Sequence, residues 1–233
     1  MPTASELLVA WEHAAGQPPA RRDLALLRAR GESGDLTPGR RNAALLRARA
    51  ELFGPRLELL ADCPACAETL ELSVSTEDLR VAAEERAAGI LPALSLDGAE
   101  FALRLPTLED LAALPSGLGP SAARRWLASR CLISSSSSNP DLSDAAMDEI
   151  SAALAAADPA GVLDFALNCP ACGHAWIAPL DAGAVLEADL AAWARATLAE
   201  VHTLAAAYGW TEAEVLALSP ARRRVYLELL GAV

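Results

Sequence analysis

Cys-Pro-Ala-Cys occurs twice in this chain, at Cys63 to Cys66 and at Cys169 to Cys172, with 102 residues between the copies. A CxxC turn sets two thiolates at the spacing that one tetrahedral ion requires, and two such turns complete a four-ligand shell. Alternating segments flank each copy, "RLELLAD" and "ETLELSV" about the first, "VLDFALN" and "HAWIA" about the second. Each therefore reads as a pair of strands joined by a cysteine turn. Four thiolates so arranged point to a structural four-cysteine zinc site of the ribbon type rather than to disulfides. The usual spacer is about 15–20 residues. A longer one is no bar, because closing such a loop costs roughly 4 kcal/mol while structural zinc contributes about 10–16 kcal/mol at neutral pH. The expectation is that Cys63, Cys66, Cys169 and Cys172 face one another across one ion, closed to substrate, with the intervening residues emerging as a lobe.

"CPACGHAW" also has the form of an iron-holding knuckle, although the first copy lacks the glycine that follows the second, so iron stands as the alternative metal. With four cysteines filling the shell, His174 reads as a surface turn residue. Cys131, inside "RRWLASRCLI", reads as a buried helical thiol.

Other chemistries find no residues to carry them. All 19 basic residues are arginine, which removes Schiff-base, phosphate-loop and kinase-type lysines. No GxSxG or HExxH occurs, His13 and His202 stand alone on helical stretches, and "PSGLGPS" lacks the setting of a nucleotide fingerprint. An enzyme is not expected. A net charge of −12 argues against nucleic acid and anionic lipid as partners, leaving proteins. No apolar run approaches the roughly 18 residues of a membrane span, and "MPTASELLVAWEHAAG" has no basic leader region, so a cytoplasmic protein is expected.

The elements that must position the cysteines follow from capping residues and periodicity. The expected fold is mainly α with a small β component (α+β): helices, two knuckle hairpins and one further hairpin. Residues 1–54 form an N-terminal helical layer, with helices starting at Thr3, near Pro19 and at Thr37-Pro38. Residues 55–74 and 161–180 form the paired knuckles. Residues 75–160 form an inserted lobe: a helix over Ser75–Ala88, a hairpin turning at Asp97-Gly98, helices over Thr107–Leu114 and Ser121–Ile133, a flexible Ser134–Pro140 linker and an Ala-rich helix ending near Ala157. Residues 181–233 are helical, beginning with a long helix whose Leu186, Leu190, Trp193, Thr197, Val201, Leu204 and Tyr208 share a core-facing stripe.

The ending "YGWTEAEVLALSPARRRVYLELL", together with "LRLPTLEDL" and the two knuckles, resembles the T4-family baseplate hub assembly chaperones of contractile phage tails and phage-derived contractile injection systems. The likeness is clearest over the last 50 or so residues. It implies a non-enzymatic protein that helps assemble the baseplate hub around the central spike, with hub or spike proteins as partners. Within that ending, Arg222 and Tyr226 near Trp210 form a candidate client anchor of the arginine-plus-aromatic kind. An acidic group such as Glu212 or Glu214, paired with the arginines at a helix corner, is the plainer alternative. A zinc-ribbon nucleic-acid or transcription adaptor is the rival class, and a permanent structural baseplate subunit is a third reading.

Overall fold

The computed structural model describes residues 2–84, 91, 93–96, 99–135 and 142–231. Helix α1 (Ala4–Ala14) starts on a capping box: the Thr3 hydroxyl accepts from the Glu6 N–H, and the Glu6 carboxylate accepts from the Thr3 N–H. Prolines open α2 (Pro19–Arg28) and α3 (Pro38–Phe53). Strands β1 (Arg56–Asp62) and β2 (Thr69–Ser75) lead to α4 (Thr76–Glu84). Then come β3 (Leu94–Leu96), β4 (Ala99–Leu103), α5 (Leu108–Ala112), α6 (Pro120–Cys131), β5 (Leu132–Ser135) and α7 (Asp144–Ala157). A 3-10 turn (Pro159–Gly161) precedes β6 (Asp164–Asn168) and β7 (Ala175–Pro179), and α8 (Ala182–Tyr208), α9 (Glu212–Ala217) and α10 (Pro220–Leu229) follow. The fold is mainly helical with a small β component. Among the described residues no helix is long and apolar enough to cross a membrane, α8 included.

The strands form three antiparallel sheets among the described residues, β1-β2, β3-β4-β5 and β6-β7. The middle sheet departs from the expected lone hairpin. The helix expected over Ser121–Ile133 stops at Cys131, and Leu132–Ser135 pairs with β4 instead. β-Branched Ile133 and the serines behind it favour extended backbone, and the edge of β4 supplies their hydrogen bonds. Ser134 and Ser135 are thus strand rather than linker, while 136–140 lie outside the described residues, as do the Asp97-Gly98 turn and the expected helix end at Ala88. Ser75 closes β2, and the helix begins at Thr76.

Two compact units result, and they cut across the sequential segments: Met1–Glu32 groups with Ala184–Val233, and Ser33–Gly183 forms the other. In the first unit Arg22 of α2 reaches Glu187 of α8 at 3.8 Å, and Leu186, Leu190, Thr197, Val201 and Leu204 of α8 are buried. Ala194 is buried where the expected stripe had Trp193, and Tyr208 is 38% exposed.

In the second unit α3 frames the hairpins. At its N-terminus the Gly39 N–H donates to the Asp158 carboxylate at 2.8 Å, and Asn42 Nδ2 donates to the carbonyls of Ala160 (2.8 Å) and Gly161 (3.2 Å). The first-turn N–H groups of a helix have no partner within it, so a carboxylate there is favoured. A Cβ on Gly39 would stand 2.1 Å from Asp158 Oδ1, so only glycine admits this contact. At the C-terminus Arg49 Nη1 donates to the carbonyls of Gly54 (2.5 Å) and Arg56. One helix therefore holds the chain just before β6 at one end and at the start of β1 at the other.

The lobe between the hairpins has its own core, built on Leu96, Phe101, Leu103, Cys131, Met147 and Ile150. Its polar centre is Asp110, 2% exposed, which accepts from Arg104 at 2.6 and 3.2 Å, from Arg130 at 3.2 Å and from the Thr107 N–H at 3.0 Å. Burial disfavours its charge, but Arg104 and Thr107 outweigh this and bring the carboxyl down to about 2. A carboxyl lowered by folding stabilises the fold above its unfolded pKa of about 3.9 and loses that contribution as pH falls through the folded value. Asp110→Asn should therefore destabilise the protein at neutral pH and flatten the loss of stability between about pH 4 and 2, measured by thermal unfolding across that range.

Candidate metal centre

Each knuckle is built the same way. In the first hairpin Asp62 pairs with Thr69 as the last register pair, the Cys63 N–H donates to the Glu68 carbonyl at 2.8 Å, and the Ala67 N–H donates to the Cys63 carbonyl at 2.9 Å. In the second, Asn168 pairs with Ala175, the Cys169 N–H donates to the His174 carbonyl at 2.9 Å, and the Gly173 N–H donates to the Cys169 carbonyl at 2.9 Å. The residue after the second cysteine is left-handed in both, at φ 59 for Ala67 and φ 74 for Gly173. Among the described residues Ala67 is the only non-glycine with positive φ. The turn demands this conformation whichever residue occupies it.

The two turns bring Cys63, Cys66, Cys169 and Cys172 together, with all four sulfurs within 4.8 Å of one another. Cys63 lies 3.7 Å from Cys172 and Cys66 lies 3.6 Å from Cys169, sulfur to sulfur, and both contacts run between the hairpins. Four sulfurs about 2.3 Å from a central zinc ion stand about 3.8 Å apart, so the cluster fits a tetrahedral shell. Cys63 and Cys169 are buried, Cys66 and Cys172 exposed, one of each per hairpin.

Taken as thiols alone the sulfurs titrate against one another. At Cys169 burial works against ionisation, yet the N–H groups of Cys172 and Ala171 bring the thiol down to about 7. At Cys66 the Glu68 N–H favours the thiolate, but the sulfurs of Cys172 and Cys169 outweigh it and push the thiol up to about 12. A divalent cation removes this conflict, because every sulfur can then ionise against it and release its proton. The donor set thus suits a thiophilic metal.

The residues set aside in the sequence stay outside the cluster. His174 is exposed, and its ring stacks on Trp176 at 6.2 Å. Cys131 is fully buried in the lobe core, its thiol pushed up to about 11 by desolvation. The hairpin flanks are acidic: Glu58, Asp62, Glu68, Glu71 and Asp164 all reach solvent.

The C-terminal residues gather about α10. Trp210 meets Tyr226 edge-on at 5.0 Å, and Tyr208, which the sequence placed on the core stripe, stacks on Trp210 at 4.7 Å. Trp210 and Tyr226 also pack against buried Val201, Leu204, Val215 and Leu227. The acidic partner of the arginine run is Glu200 of α8 rather than Glu212 or Glu214: it takes buried Arg223 at 2.7 Å. Arg222 is exposed, beside Val225 (53% exposed) and Leu229 (74%). The outward stripe of α10 is therefore Arg222, Val225 and Leu229, with Tyr226 half-buried at its edge.

Compared with known proteins, the chain matches no family model, no curated protein and no solved structure.

Glycine takes the left-handed conformation without the penalty of about 1–2 kcal/mol that a Cβ incurs there. Ala67→Gly should accordingly raise the thermal midpoint by a few degrees, and Gly173→Ala should lower it by a similar amount, read by calorimetry on metal-loaded protein.

Proposed function

We propose that this chain is a non-enzymatic assembly chaperone for the baseplate hub of a contractile phage tail or injection system, with one structural zinc ion in its cysteine tetrad. The closed tetrad is the observation that carries the structural part of this reading: four protein sulfurs complete a shell, leaving no position for a substrate or an activated water. When bound, zinc supplies a cross-link between hairpins whose cysteines stand more than 100 residues apart. Cys63 and Cys169, buried, anchor it from below, and Cys66 and Cys172 close it from the solvent side.

The assembly reading rests on the likeness of the C-terminal stretch and is supported by the surface found there. Arg222, Val225 and Leu229 set an arginine beside exposed aliphatics, next to a rigid ring cluster, which is a composition suited to anchoring a protein partner. The acidic flanks of the knuckles disfavour the nucleic-acid adaptor, since they repel phosphate.

Freshly purified reduced protein should contain one zinc per chain by elemental analysis. Cys66→Ser or Cys172→Ser should release it and cost several kcal/mol, while Cys131→Ser should leave the metal content unchanged. Iron in place of zinc would favour electron transfer, and no metal would overturn the structural-ion reading. For the client surface, the triple variant Arg222→Ala, Val225→Ser, Leu229→Ser changes only exposed side chains, so its metal content and circular dichroism should match wild type. It should weaken capture of co-expressed hub or spike protein by at least about tenfold. Undiminished capture would remove this surface as the client site, and the chain present at fixed ratio in purified particles would make it a structural subunit.

A further inference from the structure

The tetrad has a second chemistry written into its accessibility. Two contacts between hairpins join an exposed cysteine to a buried one: Cys66 to Cys169 at 3.6 Å, and Cys172 to Cys63 at 3.7 Å. An oxidant in solution meets one exposed sulfur on each hairpin, and each of these has a buried sulfur of the other hairpin within 3.7 Å. A disulfide needs a bond of about 2.05 Å, so the contacting sulfurs have roughly 1.6 Å to close.

We propose that the tetrad is a peroxide-oxidation site whose products are two cross-hairpin disulfides, Cys66–Cys169 and Cys63–Cys172, so that oxidation replaces the ionic clasp by a covalent one without separating the hairpins. The Cys66 thiolate attacks one oxygen of hydrogen peroxide. The O–O bond breaks, the departing hydroxide takes a proton to become water, and Cys66 is left as a sulfenic acid. The Cys169 thiolate then attacks the sulfenic sulfur, forms the S–S bond and expels hydroxide, which a solvent proton converts to water. Two sulfurs lose two electrons, and one peroxide gains them. A second peroxide at Cys172 does the same with Cys63. The four-thiolate zinc complex, two peroxides and four protons thereby become two disulfides, four waters and a free zinc ion.

The direction of pairing decides the consequence. Disulfides inside each CxxC would release the metal and leave nothing joining the knuckles. Disulfides across the hairpins keep closed the loop that the lobe occupies, so the oxidised chain stays folded where a chelated, reduced chain would open. Only the zinc release rests on the structural-ion reading; the pairing of the sulfurs does not.

The full chain carrying Cys131→Ser, which removes the buried fifth thiol, is treated with hydrogen peroxide, alkylated and digested at arginine without reduction. The cysteine-bearing peptides are 57–80 and 131–195. The expected product is the two peptides joined, with fragmentation placing Cys66 on Cys169 and Cys63 on Cys172, and with one zinc released per chain. The oxidised protein should keep its circular dichroism in excess chelator, whereas the reduced protein loses part of it. Separate peptides, each with an internal disulfide, or sulfinic acid at Cys66 and Cys172 with no bridge, would overturn the proposal while leaving the metal reading intact. Joined peptides from a protein that held no metal at the outset would uphold the covalent clasp and defeat the structural-ion reading.

Discussion

The chain leaves the first cysteine pair and must return, 102 residues later, to within a few ångströms of it. Helix α3 makes hydrogen bonds to the chain on both sides of that closure. Its C-terminal end holds the start of β1 through Arg49, and its N-terminal end holds the 158–161 turn through the Gly39 N–H and Asn42. The lobe can then fold on its own core while both of its stems are tied to the same rigid rod. With the stems held so, the residual entropy of closing the loop is small, and an ion that binds the tetrad clamps strands already brought near each other.

Two charge problems are solved in opposite ways. Asp110 is neutralised by the chain itself, through Arg104, Arg130 and the capping N–H of Thr107, which is why its carboxyl stays ionised in a buried setting. The tetrad holds only sulfur, in a protein of net charge −12 whose nearby exposed residues are acidic. Its charge has to be balanced from outside the chain, by a metal cation or by protons, or be removed altogether by oxidation. One arrangement of four sulfurs thus suits a ligand set and, in the oxidation we propose, a pair of disulfides.

Charge also shapes α10. The three arginines at its start oppose the helix dipole. Glu200 takes up only Arg223, the one turned inward with Leu227, so the offset is partial and Arg222 is left at the surface beside Val225 and Leu229. The ring cluster of Tyr208, Trp210 and Tyr226 braces the helix behind them. This mixed arginine and aliphatic stripe on an acidic protein is the surface we propose for a partner.

Much of this was legible in the residues. Thr3 and Thr37 cap helices as their types require, and the cysteine turns lie in hairpins because alternation and turn chemistry act over a few residues. The pairing of the knuckles was legible too, since four thiolates at two CxxC spacings have few other uses. Three things were not. Leu132–Ser135 became a strand because β4 offered an edge, a contact no local pattern announces. Arg223 found Glu200, and Asp158 found Gly39 across 119 residues, because packing, not spacing, chose those partners. The first two helices joined the C-terminal ones, not α3, in one compact unit. Sequence determines what each segment can do by itself, through capping, periodicity and ligand chemistry. Tertiary structure decides which of many possible partners each segment meets, because burial is non-directional and its free energy belongs to the whole assembly of surfaces rather than to any one stretch of chain.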